Sequence, residues 1–132
     1  MDRRYFLALT AAAAALPTLS YAAAEYTPGL VQKHLEQGDT VFLDFKAAWC
    51  STCRAQERVI NALKAENPDY EANIVFINVD WDQFSNSDLA KSLRIPRRST
   101  LVALKGDDEI GRIVAGTSSR DIKKLMDAAL AA

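Results

Sequence analysis

The chain has 132 residues, with 16 basic and 17 acidic side chains and a formal net charge of -1. Its composition, 49% hydrophobic and 25% charged, is that of a globular rather than a disordered protein and predicts a single folded domain. Because there is no basic surplus and no run of like charges, the composition argues against a nucleic-acid partner.

The amino-terminal segment has the three parts of a secretory signal. Arg3 and Arg4 precede an apolar stretch over residues 6–19, and small residues follow at 22–24. The alternative is a membrane-spanning helix, which needs about 20 apolar residues. This stretch is shorter and contains Pro17, so the signal interpretation is preferred.

We therefore predict two segments in the chain. Residues 1–24 form a signal peptide that is removed after Ala24, and residues 25–132 form an exported domain located in the periplasm. The residues that follow the twin arginines resemble the core of a twin-arginine signal, but Asp2 and Ala8 depart from that pattern. The general and the twin-arginine export routes both stay open.

The exported domain alternates segments of helical and strand character. Hydrophobic periodicity and turn residues predict helices at 30–37, 52–65 and 87–93, strands at 41–46, 74–79, 101–104 and 109–115, and a last helix that begins at Ser118. A Gly106-Asp107-Asp108 turn joins the last two strands into a hairpin. This order predicts an α/β fold, in which a mixed β-sheet carries helices on both faces.

Two of the helices have a predicted inward face. Ser118 with Asp121 forms a start similar to a capping box for the last helix. The expected inward residues are Ala55, Val59, Ala62 and Leu63 in the helix at 52–65, and Ile122, Leu125, Met126 and Ala129 in the last helix.

The two cysteines, Cys50 and Cys53, lie where a predicted strand is followed by a helix. Unpaired N–H groups and the positive end of the helix dipole favour a thiolate at Cys50. Cys53 is three residues further on, close enough to attack a mixed disulfide formed at Cys50. The spacing predicts a redox-active dithiol.

Two other uses of these cysteines are a structural disulfide and a zinc site. A structural disulfide across a four-residue loop would constrain the unfolded chain by only about 1.9 kcal/mol, which makes it a poor staple. A zinc site needs two more ligands, yet the chain has no third cysteine and a single histidine, His34. We therefore predict neither a metal site nor a separate cofactor.

The residues around the cysteines resemble the active site of the thioredoxin family. Within residues 41–54, Trp49 directly precedes Cys50 and Asp44 lies six residues before it; an Ile95-Pro96 pair, a hairpin and a final helix follow in the family's order. The resemblance covers essentially the whole exported domain and implies a thioredoxin fold. In particular, the chain resembles periplasmic thioredoxin-like proteins and the carboxy-terminal domain of membrane thiol-disulfide interchange proteins.

The resemblance implies roles for three residues. Cys50 would be the nucleophile, Cys53 the resolving thiol, and Asp44 a buried carboxylate that assists proton removal from Cys53. The sequence itself places Asp44 in the middle of a buried strand, where an acid costs several kcal/mol unless its pKa rises or it finds a partner. The alternative is a carboxylate at a water-accessible end of the sheet.

The resemblance also implies substrate-binding residues. Trp49 would lie on the surface that faces the substrate, although a plain packing role is the alternative. Pro96 would be the family's cis-proline, and Ile95 would present its backbone to an extended substrate segment. Arg97-Arg98-Ser99 intervenes where the family runs directly into a strand, so the arginines either act at the site or form a solvated turn.

Two further departures concern the redox potential. Ser51 and Thr52 separate the cysteines where thioredoxin has Gly-Pro, and Lys46 replaces an aromatic residue common near the family's site. The two hydroxyls are expected to donate hydrogen bonds to the Cys50 thiolate, which would make the protein more oxidising.

These features predict a monomeric thiol-disulfide oxidoreductase that reduces disulfides in exported proteins. Because a periplasm is kept oxidising, such a reductase needs a membrane thiol-disulfide electron donor. One alternative is an oxidase that forms disulfides, against which stand Asp44 and the absence of a histidine between the cysteines. Another is a copper(I) carrier for metalloenzyme assembly, since thiolates are soft ligands.

Overall fold

The computed structural model describes residues 23–132. The predicted signal peptide therefore lies outside the described residues, apart from Ala23 and Ala24. The helices are α1 (Leu30–Glu36), α2 (Ser51–Glu66), α3 (Asp69–Asn73), α4 (Trp81–Phe84), α5 (Asp88–Ser92) and α6 (Ser119–Ala131). The strands are β1 (Ala24–Glu25), β2 (Thr40–Lys46), β3 (Ile74–Asp80), β4 (Thr100–Lys105) and β5 (Asp108–Val114).

The strands form one mixed sheet in the order β1-β3-β2-β4-β5. β3 runs parallel to both β1 and β2, whereas β4 runs antiparallel to β2 and to β5. β4 and β5 are a hairpin whose turn begins at Gly106, with a φ of 60° that glycine adopts without strain. The predicted α/β fold with a mixed sheet is confirmed.

Side chains of the central strand β2 alternate between two hydrophobic cores. Phe42 faces one core, which α2, α3 and α6 cover, and Leu43 faces the other, which α1 and α5 cover. Because both faces are covered, β2 is buried along nearly its whole length, as its continuous apolar run predicted. Asp44 shares the face of Phe42, and it is the acidic residue of this strand.

Helix α6 has the predicted start and the predicted inward face. Ser118 Oγ accepts a hydrogen bond from the Asp121 N–H at 3.2 Å, which satisfies one of the free amides of the first turn. The four residues predicted to face inward, Ile122, Leu125, Met126 and Ala129, are all buried. Within the part of the chain that the structure describes, no helix is long and apolar enough to cross a membrane.

The predicted inward face of α2 is partly wrong. The buried residues of this helix are Cys53, Gln56, Ile60 and Leu63, whereas Ala62 is exposed. Gln56 was absent from the predicted face because an apolar pattern cannot include a polar side chain. In the structure Gln56 points inward because buried backbone carbonyls accept hydrogen bonds from its amide.

Three short elements, β1, α3 and α4, were not predicted, because two to five residues are too few to show a hydrophobic period. In β1, Ala24 pairs with Ile77 and Glu25 with Asn78, so the predicted cleavage point after Ala24 falls inside this strand. Helix α4 begins after Asp80, whose carboxylate accepts the Asp82 N–H at 3.1 Å.

Candidate active site

Strand β2 and helix α2 meet at the cysteines. Cys50 is the N-cap residue of α2, with extended backbone angles, and its Sγ accepts a hydrogen bond from the Cys53 N–H at 3.1 Å. This places Cys50 Sγ at the positive end of a 16-residue helix. The local geometry therefore favours a thiolate on Cys50, as the sequence predicted.

The two sulfur atoms differ in access. Both cysteines are free thiols; Cys53 is fully buried, whereas Cys50 keeps 3% of its surface exposed. Trp49, directly before Cys50, is 57% exposed, and its indole N–H donates to the Asp82 carboxylate at 2.9 Å. Trp49 thus lies on the surface beside Cys50, and packing in the core does not explain its position.

Ser99, which sequence reasoning did not single out, touches both cysteines. Its Oγ lies 3.2 Å from Cys50 Sγ and 3.1 Å from Cys53 Sγ. Among the described residues, neither the Ser51 nor the Thr52 hydroxyl hydrogen-bonds to Cys50. The expectation that those two hydroxyls donate to the thiolate is wrong. They lie on the first turn of α2, whereas the hydroxyl beside the sulfurs belongs to Ser99, the residue that precedes β4.

Ser99 is held in a backbone conformation that is unusual for serine, with a φ of 65°. Its N–H donates to Phe45 O at 2.7 Å. Its carbonyl accepts from the Ala115 N–H at 2.8 Å and from Gln56 Nε2 at 3.0 Å. Contacts to β2, to α2 and to the segment after β5 therefore fix the position of the hydroxyl.

The predicted cis peptide bond at Pro96 is wrong. No cis peptide bond occurs among residues 23–132, and Pro96 is exposed. The Ile95 N–H already donates to Ala90 O at 3.0 Å, and its side chain packs against the core under α1 and α5. The three intervening residues shift the loop, so that Ser99 takes the place beside the sulfurs. Ser99 donates its N–H to Phe45, a bond that proline has no N–H to make.

The two arginines of this loop have different environments. The Arg98 guanidinium lies 4.4 Å from the centre of the Trp49 ring, which is a cation–π contact. Arg97 Nε donates to the Arg98 carbonyl at 2.9 Å and so braces the loop. The interpretation of both arginines as a solvated turn therefore fails for Arg98, which lies at the site.

Asp44 is buried in the middle of β2, where it pairs with Asn78 of β3 and Leu101 of β4. Burial raises the pKa of Asp44 to about 7, against the opposing charge of Lys46. Its Oδ1 is buried without a hydrogen-bond partner. The alternative position at a water-accessible sheet end is excluded.

Lys46 and Glu57 lie next to Asp44 and form an ion pair at 2.5 Å between Nζ and Oε2. Glu57 lines the small cavity beside Asp44 and also lines the surface groove that reaches Cys53. Lys46 takes the position of the family's aromatic residue. Its ion pair holds Glu57, the side chain that lines both the cavity and the groove.

The surroundings separate the acidities of the two thiols. Burial works against the Cys50 thiolate, but hydrogen bonds from Cys53 and Ser99, together with the influence of Arg98, outweigh it and lower the pKa of Cys50 to about 7. Burial and the hydrogen bond with Cys50 raise the pKa of Cys53. Cys50 is therefore the thiol that ionises first, which is the order that attack by Cys50 and resolution by Cys53 require.

A zinc site would need more ligands than the two thiols offer. Among residues 23–132 there is no group of three or more His, Cys, Asp or Glu side chains arranged to hold a metal ion. His34, the single histidine, hydrogen-bonds to Asp39 at 2.9 Å through Nδ1.

Comparison with curated proteins finds thioredoxins. The chain is 29% identical over 94 residues to thioredoxin H2-1 of Oryza sativa subsp. japonica, covering 71% of this chain and 63% of that relative. It is 30% identical over 93 residues to a thioredoxin of Echinococcus granulosus, covering 70% of this chain and 80% of that relative. For thioredoxin H5 of Oryza sativa subsp. japonica the match spans 56% of the relative, so the chain covers less than two thirds of some of these proteins.

Solved structures with the same fold include Trxlp from Edwardsiella tarda EIB202, with a TM-score of 0.68 at 22% identity, covering 80% of this chain and 98% of that one. Thioredoxin from Trypanosoma brucei brucei has a TM-score of 0.69 at 17% identity, covering 89% of this chain and 98% of that one. At these identities the likeness shows the thioredoxin fold. The thioredoxin family model matches residues 19–128, and the chain therefore belongs to the thioredoxin family.

Proposed function

We propose that this protein is a thiol-disulfide oxidoreductase that reduces disulfides through Cys50 and Cys53. The observation that carries the proposal is the unequal environment of the two sulfurs. Cys50 Sγ accepts a hydrogen bond from the Cys53 N–H at the start of α2, and the pKa of the Cys50 thiol is lowered to about 7. Cys53, by contrast, is fully buried. Family membership supports the same general chemistry.

The reaction has two exchanges. The Cys50 thiolate attacks one sulfur of the substrate disulfide, an S–S bond forms between them, and the other substrate sulfur leaves as a thiolate. Cys53 then loses its proton and attacks Cys50 Sγ, which forms the Cys50–Cys53 disulfide and releases the second substrate thiolate. Two electrons pass from the dithiol to the substrate.

Asp44 is the proposed base for the second exchange. With a pKa of about 7 it can exist as a carboxylate near neutral pH and still bind a proton. Because Glu57 lines both the cavity beside Asp44 and the groove at Cys53, the two spaces adjoin at one side chain. The proton of Cys53 would move toward Asp44 through this region.

The finer proposal concerns compartment and direction. We infer from the amino-terminal signal pattern that the protein is exported and that its substrates are disulfides of exported proteins. It would work as a monomer, with a membrane thiol-disulfide electron donor restoring the dithiol. Trp49 and Arg98, next to Cys50 on the surface, would contact the substrate.

Trapping of mixed disulfides tests the proposed exchange. Cys53→Ser should accumulate mixed disulfides with model substrates on non-reducing gels, because attack proceeds and resolution cannot. Cys50→Ser should trap nothing, and the Cys50→Ser/Cys53→Ser double variant is the matched blank. Equal trapping by both single variants would contradict the assignment of the two thiols.

Cell fractionation tests the compartment separately. The full chain expressed with its own amino terminus should appear in the periplasm, and sequencing of its first residues should start near Glu25. Cytosolic protein that still begins with Met1 would contradict export. The proposed redox activity of the two cysteines does not depend on that result. A reduction potential measured against glutathione would then separate a reductase from a disulfide-forming oxidase.

A further inference from the structure

The Ser99 hydroxyl is placed between the two reacting sulfurs. Its Oγ lies within 3.2 Å of Cys50 Sγ and 3.1 Å of Cys53 Sγ, and all three residues are buried. A hydroxyl has one proton to donate and lone pairs with which to accept. It can therefore donate to one sulfur while it accepts from the other, and rotation about the C–O bond exchanges the two roles.

The position of this hydroxyl is imposed by its surroundings. A non-glycine residue at a φ of 65° persists only where neighbouring groups determine it. Here the backbone amide and carbonyl of Ser99 are bound by Phe45, Ala115 and Gln56, which belong to three separate parts of the chain. Such positive-φ residues concentrate at functional sites, and this one carries a polar group to the sulfurs.

We propose that Ser99 is a catalytic residue whose hydroxyl hydrogen-bonds to the Cys50 thiolate before the first exchange and to the Cys53 thiolate during the second. This inference rests on the disulfide exchange proposed above. In the reduced protein the Ser99 O–H donates to the Cys50 thiolate, and Cys53 Sγ lies 3.1 Å from the same oxygen.

The hydroxyl changes partner as the charge moves. When Cys50 forms the S–S bond with the substrate it loses its negative charge, and its hold on the Ser99 proton weakens. Once Cys53 has given its proton to the base, its thiolate becomes the stronger acceptor, and the Ser99 O–H turns to it. The Cys53 thiolate then attacks Cys50 Sγ, and the second substrate thiolate leaves. Ser99 keeps its own proton throughout, so the electron balance is that of the dithiol alone.

The acidities of the two thiols support this assignment. Burial alone would raise the pKa of each thiol. At both Cys50 and Cys53 the hydrogen bond with Ser99 has the opposite effect and lowers the pKa. A neutral hydroxyl is thus the side chain that stabilises both thiolates in turn. An oriented donor in a site that excludes water needs no reorganisation when the charge arrives.

Ser99→Ala tests the first contact through the pH profile of Cys50. Because the variant loses a hydrogen bond to a charged group, the acid dissociation constant of the Cys50 thiol should fall about tenfold. Because thiolate nucleophilicity rises with pKa with a coefficient of about 0.4–0.5, alkylation by iodoacetamide should be about threefold slower near pH 5.5 and about threefold faster near pH 9.5. A change in fold would not produce this crossing of the two profiles.

The same variant tests the second contact. Mixed disulfide between Cys50 and a model substrate, formed in a rapid-mixing experiment, should resolve about threefold more slowly near pH 7, since less Cys53 is ionised. Alanine is a reasonable replacement, because Ala115 already adopts a φ of 66° in this protein. Ser99→Gly removes the same hydroxyl and favours this backbone, and it should give the same two results.

Ser92→Ala is the matched control. Ser92 is an exposed serine in α5 whose hydroxyl donates to Leu89 O, and its loss should leave both profiles unchanged. Unaltered alkylation and resolution profiles in both Ser99 variants would overturn the inference. If the wild-type protein exchanges no disulfides at all, the proposed function fails, whereas the alkylation profile still reports whether Ser99 stabilises the Cys50 thiolate.

Discussion

Polar side chains are hydrogen-bonded at helix α6 but partly unpaired around the cysteines. In α6, Ser118 caps the first turn, and Asp127 receives hydrogen bonds from both Tyr70 and Lys123. Around the cysteines, three side-chain atoms are buried without a hydrogen-bond partner, and they are the only such atoms among residues 23–132; they belong to Asp44, Gln56 and Arg98.

The same contrast holds for the backbone. Ser99 has a positive φ at the cysteines, whereas the residues of α6 lie in regular helix behind a standard cap. Unsatisfied groups and strained conformations each cost free energy, and proteins tolerate them where chemistry requires them. We infer that α6 supplies stability while the cysteine region gives up stability for reactivity. Substitutions in the two regions should therefore have separable effects.

The largest expected effect is that of Asp44→Asn. The pKa of Asp44 is raised in the folded protein, so its contribution to stability is fully present below about pH 4 and is lost as the pH rises through about 7. Asparagine does not ionise, so the variant does not lose stability as the pH rises through this range. Its free energy of unfolding in urea should exceed that of the wild type by up to about 4 kcal/mol above pH 8, with a much smaller difference near pH 4.

Asp44→Asn should also slow the second exchange. Loss of a general base typically costs about 10² to 10⁴ in rate, which rapid mixing would detect as a long-lived mixed disulfide at Cys50. The first exchange should change little by comparison. Unchanged resolution near pH 7 together with reduced stability would show that Asp44 has a structural role and does not accept the proton.

Ile122→Ala should have the next largest effect, and on stability alone. Ile122 is fully buried in the stripe of α6, and truncation of such a side chain costs about 2–5 kcal/mol. The pH dependence of Cys50 alkylation should stay as in the wild type. Lys124→Ala, at an exposed position of the same helix, should change the free energy of unfolding by no more than about 0.5 kcal/mol. A shift in the alkylation profile with Ile122→Ala would show that the two regions are coupled.

The same contrast explains what the sequence could predict. The α6 stripe and the alternation of β2 depend on periodic apolar residues and N-cap chemistry, which are local properties of the sequence. The pair Cys50 and Cys53 is also local, because its two members are three residues apart.

The rest of the site depends on long-range contacts. Ser99 and Gln56 meet across 43 positions of sequence, and nothing in their neighbours predicts a bond between a side-chain amide and that carbonyl. The residue type of Pro96 indicates a family position, whereas the loop register that places Ser99 beside the sulfurs depends on the path of the backbone. A polar residue on an otherwise apolar helix face, such as Gln56 between Cys53 and Ile60, is the one local signal that was available.

Gln56→Leu should have an intermediate effect on both properties. Gln56 Nε2 donates to the carbonyls of Ser99, at 3.0 Å, and Gly116, at 2.9 Å. Leucine has a similar volume but no donor, so the variant should lose about 2 kcal/mol of stability. Because Gln56 positions Ser99, the alkylation profile of Cys50 should also shift toward higher pH.

Gln32→Leu is the control for Gln56→Leu, since Gln32 is exposed and donates to Glu36 within α1. It should change neither the unfolding curve nor the alkylation profile. A loss of stability in Gln56→Leu without any movement of the Cys50 profile would show that Gln56 fills space and does not position Ser99.

The smallest expected effect comes from Arg98, which contributes charge where Ser99 contributes a neutral donor. Arg98 helps to lower the pKa of Cys50, so Arg98→Met should move the alkylation profile upward by less than about one pH unit. Since the Debye length falls from about 10 Å at 0.1 M salt to about 3 Å at 1 M, the part of this shift that comes from charge should shrink in high salt. The shift caused by Ser99→Ala should persist there. Arg97→Met removes the same charge from the neighbouring residue, whose Nε contacts a backbone carbonyl, and it should shift the profile less. Equal shifts from the two arginine variants would mean that the net charge of the loop sets the acidity of Cys50, and the specific contact of Arg98 would then have no part in it.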